Sequence, residues 1–241
     1  MLLAAGLGTR LRPLTNSIPK CMVPVAAKPV LQHNVEWLRS WGVVDLVVNL
    51  HVHPEAVTDY FGDGGVFGVN IRYSYEPELL GTAGSLAPVQ QFFGDEPFWV
   101  VYADNLINCD LSRLFRLHVT KQATLTMALF WRDDVSASGV VGLEDDGRIV
   151  TFREKPSPQQ VLSHWVNAGL LLCEPGVLQF IPAEHPSDFG HDVLPALLEA
   201  GEPMYGYTMG PGEGLYWIDT LADLQRVRSE WEKKVEGESN L

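Results

Sequence analysis

A glycine-rich bend followed by cations lies near the start of the chain. Gly6 and Gly8 follow an apolar run, so the backbone can turn sharply there and bring its N–H groups close to a ligand. Thr9 and Arg10 extend the bend, and Lys20 adds a second cation ten residues later. Proteins hold phosphate with the planar fork of arginine and the compact charge of lysine. The segment therefore predicts an anion-binding cradle.

The charge distribution supports this prediction. The chain has 241 residues, 30 acidic and 17 basic side chains and a formal net charge of −13, yet its first acidic residue is Glu36. Arg12 and Lys28 add to the positive charge before it. A local positive region in an acidic chain favours a small, strongly anionic ligand. The acidic surplus argues against a nucleic-acid partner, because a phosphate backbone needs a broad basic face.

The bend matches neither of the common nucleotide-binding fingerprints. Leu11 stands where the dinucleotide fingerprint needs its third glycine, and the chain contains no GK[ST] to form a P-loop. A lone GxG is more often a tight turn whose basic residues are solvated. The bend alone thus leaves the ordinary turn and the anion cradle both open.

Two carboxylates follow apolar, strand-like runs. Asp104 comes after FWVVYA, and Asp219 comes after LYWI. Ligands of open α/β sheets bind outside the carboxyl ends of the strands. Each aspartate could instead cap the helix that follows it, and for Asp219 that helix is the one predicted over residues 221–234. Together they suit Mg²⁺, which prefers one or two carboxylates plus substrate phosphates.

Three further segments place polar residues where a ligand could contact them. EPELLGTAGSL, residues 76–86, also resembles an ordinary flexible helix start. FREKP puts Glu154 beside Lys155, which in isolation is typical of an exposed charged turn. VNAGLLL puts Asn167 in an apolar strand, where its amide needs partners, and Gly139 lets a neighbouring strand approach a ligand closely.

The ordered string GLGTRLRPLT, with PK and KP after it, resembles the signature of the sugar-1-phosphate nucleotidyltransferases, also called nucleotide-sugar pyrophosphorylases. EKP, VNAG and SGVV extend the resemblance towards the closing helix. It implies an α/β, single-domain, Rossmann-like fold of the GT-A type, with a mostly parallel mixed central sheet flanked by helices and no C-terminal β-helix. It also implies transfer of a nucleoside monophosphate from a nucleoside triphosphate to a sugar 1-phosphate, with release of pyrophosphate and with Mg²⁺ as cofactor.

The resemblance assigns roles to individual residues. The implied catalytic residues are Arg10 for the leaving pyrophosphate, Lys20 for the α-phosphate and Lys155 for the attacking sugar phosphate. The implied nucleotide-binding residues are Leu3, Ala5, Gly6, Gly8, Thr9, Arg10, Glu76, Gly81 and Thr82. The implied sugar-phosphate-binding residues are Gly139, Glu154, Lys155, Asn167 and Gly169, and the implied metal ligands are Asp104 and Asp219. Ala103 departs from the family, in which glycine is frequent at that position.

The substrates are less constrained than the reaction. Glu76 could accept from the N1–H and N2–H of guanine, or from N3–H of uracil or thymine. The motifs, with DFGHDVLP at 188–195, most resemble the mannose-1-phosphate guanylyltransferase branch, so GTP and mannose 1-phosphate are the first prediction. Alternatives are a uridylyl- or thymidylyltransferase, a cytidylyltransferase of the phosphocholine type, and a silent regulatory homologue that binds nucleotide sugars. A glycosyltransferase is disfavoured because Ala103-Asp104-Asn105 lacks a DxD motif.

Composition and pattern predict one cytoplasmic domain. No run is apolar enough to cross a bilayer, no signal peptide is evident, and the three cysteines suggest buried free thiols. We expect residues 1–122 to bind mainly nucleotide, 123–235 mainly sugar phosphate, and 236–241 to fray. The chain is compatible with a homo-oligomer, and its first strand is short enough to suggest a start a few residues after the family's usual one.

The alternation of short apolar runs with amphipathic stretches predicts βα units in the first half and a more strand-rich second half. Strands are predicted over 2–5, 46–50, 71–75, 98–102, 123–131, 140–143, 149–153, 166–173 and 204–208. Helices are predicted over 30–41, 55–61, 86–93, 111–121 and 221–234.

Overall fold

The computed structural model describes residues 1–182 and 186–238. Its strands are β1 Leu2–Leu3, β2 Pro24–Val25, β3 Lys28–Pro29, β4 Asp45–Leu50, β5 Asn70–Tyr75, β6 Phe98–Tyr102, β7 Leu106–Asn108, β8 Leu125–Trp131, β9 Gly139–Leu143, β10 Ile149–Glu154, β11 Trp165–Cys173, β12 Met204–Thr208 and β13 Gly214–Tyr216. Its α-helices are α1 Val30–Ser40, α2 Pro54–Phe61, α3 Gly81–Gly84, α4 Leu111–Lys121, α5 Leu194–Glu199 and α6 Leu221–Glu238, and a π-helical turn spans Phe189–Val193.

The chain forms two compact units. The unit that we call the N-terminal unit contains residues 2–78, 102–107 and the residues from Leu215 onward. The middle unit contains Met1, Leu79–Val101 and Asn108–Gly214. The prediction of a functional division at residue 122 stays a prediction.

Parallel strand pairs form the sheet of the N-terminal unit. Strand β4 lies between β1 and β5 and is parallel to both, with Leu2 opposite Val48 and Leu46 opposite Ile71. All residues of β4 after Asp45 are buried, as expected for a parallel strand that is covered on both faces. Helices α1 and α2 lie between these strands in sequence, which gives the predicted βα order.

The closing helix packs on the segment that carries the early cations. A buried cluster joins α6 to residues that surround the glycine-rich bend; its members are Leu11, Val23, Val25, Val30, Leu106, Ile218, Leu224 and Val227. The N–H and hydroxyl of Thr220 donate to Asp223 Oδ2 at 2.9 and 2.8 Å, and the N–H of Asp223 donates back to Thr220 Oγ1 at 3.2 Å. This reciprocal cap uses Thr220, so Asp219 is not needed to start the helix.

The sheet of the middle unit is built around β11. This strand pairs antiparallel with β6, β8 and β9; β9 pairs antiparallel with β10, and β12 pairs parallel with β8. The register of β11 against β8 shifts between Asn167 and Leu171. Gly169 lies in this irregularity with φ of +72°, a conformation that glycine adopts without steric cost.

Most differences from the predicted elements lie in short or glycine-bounded segments. Residues 87–92 form a 3-10 helix instead of the α-helix predicted over 86–93, because Pro88 and Gly94 limit that stretch. Helix α5 and the π-helical turn were not predicted. Helix α6 continues through Glu238, so residues 236–238 of the predicted frayed tail are helical, while residues 239–241 lie outside the described residues.

The structure describes the state of the three cysteines and the apolar length of the helices. Cys21, Cys109 and Cys173 are free and buried, as predicted. Burial raises the pKa of the Cys21 thiol to about 12, so it is protonated near neutral pH. Over the residues that the structure describes, no helix is long and apolar enough to cross a bilayer.

A buried histidine links α4 to the strands of the middle unit. His118 contacts Thr126 Oγ1 through Nδ1 at 2.8 Å and Glu174 Oε1 through Nε2 at 3.2 Å. Burial lowers the pKa of His118 below its ordinary value of 6.5, although the hydrogen bond to Glu174 opposes that effect. The folded protein therefore resists protonating this ring.

We expect this histidine to make stability depend on pH. The unfolded chain binds the proton near pH 6.5 and the folded chain does not, so the free energy of unfolding falls as the pH drops below that value. Urea titrations at pH 7.5 and 5.5 should show a smaller loss for His118→Gln than for the wild type. His191→Gln, at an exposed position, is the control and should behave as wild type. Equal losses in all three proteins would contradict the assignment.

Candidate functional site

Four side chains of the N-terminal unit form a charged cluster, which we call the Lys20 cluster. The Nζ of Lys20 lies 2.7 Å from Asp104 Oδ2 and 3.1 Å from Asp219 Oδ1. Arg10 contacts the same Asp219 oxygen through a guanidinium nitrogen at 3.0 Å. The fold thus brings the predicted metal ligands together with two of the predicted catalytic cations.

Local structure sets the position of each member. Lys20 begins a 3-10 turn after Pro19 and is 7% exposed, whereas the Arg10 side chain is 64% exposed. Asp104 follows β6, and Asp219 directly precedes the cap of α6. The lysine is therefore buried, whereas both carboxylates are partly exposed and the arginine is largely exposed, so that a ligand can contact them.

Asn105, which was not among the predicted site residues, links Asp104 to Ile218, the residue before Asp219. Its Nδ2 donates to Asp104 Oδ1 at 3.1 Å, and its Oδ1 accepts the N–H of Ile218 at 3.0 Å. The side chain of Asn34 donates to the carbonyl of Asn105 at 2.9 Å. The only sequence signal was a polar residue directly after a strand-end aspartate.

The charge of the cluster fits a divalent cation. Burial lowers the pKa of Lys20, but Asp104 and Asp219 together outweigh that effect, and the net pKa is raised. The ammonium thus stays charged and occupies a point where two carboxylates converge on one cation. Among the described residues no group of three or more His, Cys, Asp or Glu could hold a metal. Two carboxylates are the complement that Mg²⁺ uses when substrate phosphates supply the remaining ligands.

The structure corrects the expectation that the early cations are free of neutralising carboxylates. Lys28 pairs with Glu36 at 2.8 Å, outside the Lys20 cluster. Lys20 and Arg10 pair with aspartates from far along the chain. Arg12 is exposed beside them. In the fold, three of the early cations therefore form ion pairs, and three of these four pairs involve the predicted metal ligands Asp104 and Asp219.

The glycine-rich bend requires glycine at one position above all. Gly8 has φ of +61°, and a Cβ there would lie 3.0 Å from Lys20 Cβ and 3.1 Å from Thr15 Cγ2. Its carbonyl accepts the hydroxyl of Thr15 at 2.7 Å and the N–H of Leu11 at 3.0 Å. These bonds hold the bend directly against the lysine.

Of the other residues predicted to bind nucleotide at the bend, two are buried and two are exposed. Leu3 and Ala5 are buried, so they can offer a ligand backbone groups but little side chain. Gly6 and Thr9 are exposed, and a Cβ at Gly6 would meet nothing within 4 Å. Ala103 stands where glycine is frequent in the family. Its side chain is accommodated in the core, and its N–H donates to the carbonyl of Leu3 at 3.0 Å.

Glu76 is placed differently from the open, base-reading carboxylate that the sequence suggested. It is 1% exposed, and its Oε1 accepts from Asn49 Nδ2 at 2.8 Å. Asn49 in turn accepts the N–H of Ala4 at 2.7 Å. Glu76 thus supports the strand that leads into the bend, and direct reading of a base by Glu76 stays a prediction.

In the middle unit, the predicted nucleotide residues Gly81 and Thr82 form the short helix α3. Gly81 has φ of +81°, and a Cβ there would clash with the backbone oxygen of Ser187. The N–H and the hydroxyl of Thr82 both donate to Asp188 Oδ1 at 2.9 Å. The Thr82 side chain is therefore engaged within the protein, and the DFGHDVLP segment supplies its partner.

The predicted sugar residues lie on adjacent strands of the middle unit. Glu154 pairs with Gly139 in the sheet, and a Cβ at Gly139 would lie 2.8 Å from Glu154 Oε2. Lys155 has φ of +45° and is exposed, and its Nζ lies 3.7 Å from Glu154 Oε1. The lysine can thus reach a solvent-borne anion beside a half-buried carboxylate.

Asn167 and Gly169 form the irregular part of β11. The amide oxygen of Asn167 accepts the N–H of Gly169 at 2.8 Å, which gives this backbone group a hydrogen-bond partner where the strand pairing is irregular. Asn167 lies one residue from Val166, which pairs with Val140, so Asn167 and Gly139 are neighbours across the sheet. The fold therefore groups Gly139, Glu154 and Asn167, and their role in binding the sugar phosphate stays a prediction.

The fold is of the α/β class, and its N-terminal unit brings two aspartates together with two cations. Residues 1–229 match the family model described as "Nucleotidyl transferase". The chain belongs to this nucleotidyl transferase family, and the sugar-1-phosphate nucleotidyltransferase resemblance is confirmed.

Two of the similar proteins are named as transferases of a nucleotidyl group to a sugar 1-phosphate. The chain is 39% identical over 232 residues to a UTP–glucose-1-phosphate uridylyltransferase of Synechocystis sp., covering 91% of this chain and 59% of the relative. It is 33% identical over 220 residues to a mannose-1-phosphate guanylyltransferase of Mycobacterium tuberculosis, covering 91% and 60% respectively. The chain therefore spans about three fifths of the length of these relatives.

Solved structures confirm the fold class. A Bacillus anthracis protein assigned as a glucose-1-phosphate thymidylyltransferase superposes with a TM-score of 0.85 at 24% identity, covering 95% of this chain and 92% of the other. A UDP-glucose pyrophosphorylase complexed with UDP-glucose gives 0.82 at 21% identity, covering 97% of each. The predicted α/β, Rossmann-like class with a mixed central sheet is confirmed.

Proposed function

We propose that this protein transfers a nucleoside monophosphate from a nucleoside triphosphate to a sugar 1-phosphate, releasing pyrophosphate. The observation that carries the proposal is the Lys20 cluster, in which two cations and two carboxylates of a nucleotidyl transferase chain converge within 3.1 Å. The carboxylates of such a cluster could hold a divalent cation, which would add positive charge beside a triphosphate, and its two cations could contact the phosphates.

The chemistry needs no general base. A sugar phosphate oxygen is already anionic near neutral pH, so the difficulty lies in bringing two anions together. The oxygen attacks the α-phosphorus, a new P–O bond forms, and the bond to the pyrophosphate oxygen breaks. Lys20 neutralises the α-phosphate, Arg10 binds the leaving pyrophosphate, and Lys155 orients the sugar phosphate.

Mg²⁺ is part of this proposal. Asp104 and Asp219 would hold it, since they already converge on the ammonium of Lys20. A bound Mg²⁺ would supply charge neutralisation on the triphosphate oxygens. Lys20 must then give up its contacts with the carboxylates and turn to the phosphates. A cytoplasmic location also belongs to the proposal, supported by the free buried thiols.

The first substrate pair to test is UTP with glucose 1-phosphate. Glu76 favours neither guanine nor uracil, because its side chain is buried against Asn49. The relative named as a uridylyltransferase shares 39% identity, against 33% for the M. tuberculosis guanylyltransferase. GTP with mannose 1-phosphate remains the second pair, on the motifs that the chain shares with that branch.

A substrate matrix tests the proposal. Each nucleoside triphosphate is combined with glucose, mannose and N-acetylglucosamine 1-phosphates and with phosphocholine, and pyrophosphate release is measured with and without Mg²⁺. Release with a sugar 1-phosphate supports the proposal. Release only with phosphocholine would favour the cytidylyltransferase alternative. Binding of a nucleotide sugar without any release would favour a regulatory homologue and overturn the proposal.

Arginine at position 10 should matter far more than arginine at position 12. Arg10→Met removes the planar fork from the Lys20 cluster and should lower kcat/KM by roughly 10- to 100-fold, because a charge-assisted bidentate contact to pyrophosphate is lost. Arg12→Met is the matched control, two residues away and exposed, and should stay within about twofold. Equal losses in both variants would show that only the general positive charge of the bend matters.

A further inference from the structure

A short segment of the middle unit, Ser187–Asp192, contacts residues assigned to both substrates. Its Phe189 is fully buried and anchors it in the core. The N–H of Asp188 donates to Asp192 Oδ2 at 2.7 Å, and the N–H of Asp192 donates to the carbonyl of Asp188 at 2.9 Å. The 187–192 segment is therefore braced within itself as well as fixed to the core.

Backbone groups of this segment hold the glycine-bounded loop that contains α3. The N–H groups of Ala83 and Gly84 both donate to the carbonyl of Ser187 at 3.0 Å. The N–H of Ser187 donates to the carbonyl of Leu80 at 2.9 Å. Any side chain at Gly81 would clash with that same Ser187 carbonyl, which explains the glycine. The loop is thus packed backbone to backbone on the segment.

One side chain adds the remaining bonds between loop and segment. Oδ1 of Asp188 accepts both the N–H and the hydroxyl of Thr82 at 2.9 Å. The Thr82 oxygen in turn accepts the N–H of Phe189 at 3.0 Å. A carboxylate that accepts two bonds at one oxygen fixes the direction of the loop start, since both donors belong to the same residue.

Two residues further on, the same segment meets the carboxylate assigned to the sugar. A Cβ at Gly190 would lie 2.7 Å from Glu154 Oε2, and a Cβ at Gly139 would lie 2.8 Å from the same atom. A contact below 3.0 Å forces a shift, and at Gly190 the atom that must shift is the end of the flexible Glu154 side chain, so the carboxylate can move without disrupting the backbone. The carboxylate of Glu154 therefore fills a slot between two glycines, one on β9 and one on the 187–192 segment.

We propose that Asp188 and Gly190 are positioning residues, Asp188 for the nucleotide-binding loop at Gly81–Gly84 and Gly190 for the sugar-binding carboxylate of Glu154. This inference rests on the proposed function and deepens it. Neither residue was assigned a role from the sequence. Because Asp188 contacts Thr82 and Gly190 lies against Glu154, a change at Asp188 should act on the nucleotide and a change at Gly190 on the sugar phosphate.

The test is steady-state kinetics with both substrates varied, for Asp188→Ala, Asp188→Asn and Gly190→Ala. Asp188→Ala removes the acceptor for two hydrogen bonds and should raise the KM for the nucleoside triphosphate roughly tenfold, with the KM for sugar 1-phosphate unchanged. Asp188→Asn keeps Oδ1 as acceptor and should recover to within about threefold of wild type. Gly190→Ala displaces Glu154 and should raise the KM for sugar 1-phosphate roughly tenfold, with the nucleotide KM unchanged.

Matched controls separate positioning from general damage. Gly176→Ala changes a glycine of the same unit whose added Cβ meets nothing within 4 Å. Glu199→Ala removes an exposed carboxylate at the end of α5. Both should keep wild-type KM values. Thermal melting of every variant, with and without nucleoside triphosphate, gives a second readout, since a ligand that binds the native state raises Tm. Asp188→Ala alone should lose most of the nucleotide-induced rise in Tm.

Three results would overturn the inference while the wild type still releases pyrophosphate. One is a rise in the KM for sugar 1-phosphate in Asp188→Ala. Another is an Asp188→Asn variant as impaired as Asp188→Ala, which would mean that the charge itself contacts substrate. The third is an unchanged KM for sugar 1-phosphate in Gly190→Ala. A wild type that releases no pyrophosphate would instead defeat the proposed function, and nucleotide-induced shifts in Tm would still test the role of Asp188.

Discussion

Asp104→Asn is expected to abolish most turnover while leaving the protein folded. The substitution keeps the size of the side chain and its bond with Asn105, but it removes the negative charge that a divalent cation needs. Loss of a metal that stabilises the transferring phosphates by several kcal/mol corresponds to a fall in turnover of roughly 10²- to 10³-fold. Lys20 keeps Asp219 as a partner, so the free energy of unfolding should change little.

The measurement is pyrophosphate release at saturating Mg²⁺ together with the urea unfolding curve. Asp110→Asn is the control, because Asp110 caps α4 by accepting the N–H of Arg113 at 2.9 Å and asparagine caps equally well. It should match wild type in both measurements. Near-normal, Mg²⁺-dependent turnover in Asp104→Asn would remove this aspartate from the metal site.

Lys20→Met is expected to change catalysis and metal binding in opposite directions. The substitution removes the cation that neutralises the α-phosphate, so turnover should fall roughly 10²-fold or more. It also leaves Asp104 and Asp219 without their buried counter-charge. A divalent cation no longer competes with an ammonium for these oxygens, so its affinity for the nucleotide-free protein should rise by about tenfold.

Electron paramagnetic resonance titration with Mn²⁺ measures that affinity without turnover. Lys28→Met is the control, since Lys28 pairs with Glu36 outside the cluster and should leave both turnover and Mn²⁺ affinity within about twofold. Lys20→Met should also unfold at lower urea concentration than the control, because it removes the buried ammonium that pairs with both aspartates and leaves only Arg10 paired with Asp219. Unchanged or weaker Mn²⁺ binding in Lys20→Met would show that lysine and metal do not share this position.

Elements governed by local pattern were predicted well. Phe98–Tyr102, Leu111–Lys121 and Met204–Thr208 have the predicted limits in the structure. Each is a strongly patterned run, and α4 begins after an aspartate cap that is visible in the sequence. Short strands such as Pro24–Val25 and the π-helical turn at Phe189–Val193 escaped prediction, because two to five residues carry too little periodicity to identify an element.

For the candidate site, too, the sequence shows some features directly and others become visible only in the fold. The sequence by itself determined the family to which the chain belongs and the residues that the proposed chemistry uses, which are a glycine bend with Arg10 and Lys20 and two strand-end aspartates. These features depend on residue type, order and short spacing, all of which a sequence states directly.

Only the tertiary structure decided which of these groups meet. Lys20 contacts aspartates that lie 84 and 199 positions away along the chain. The tertiary structure also decided that Lys28 pairs with Glu36, that Glu76 is buried against Asn49, and that Asp188 contacts Thr82 while Gly190 lies against Glu154. The reason is that long-range packing selects each partner from many residues of the same type, and spacing along the chain does not encode that selection.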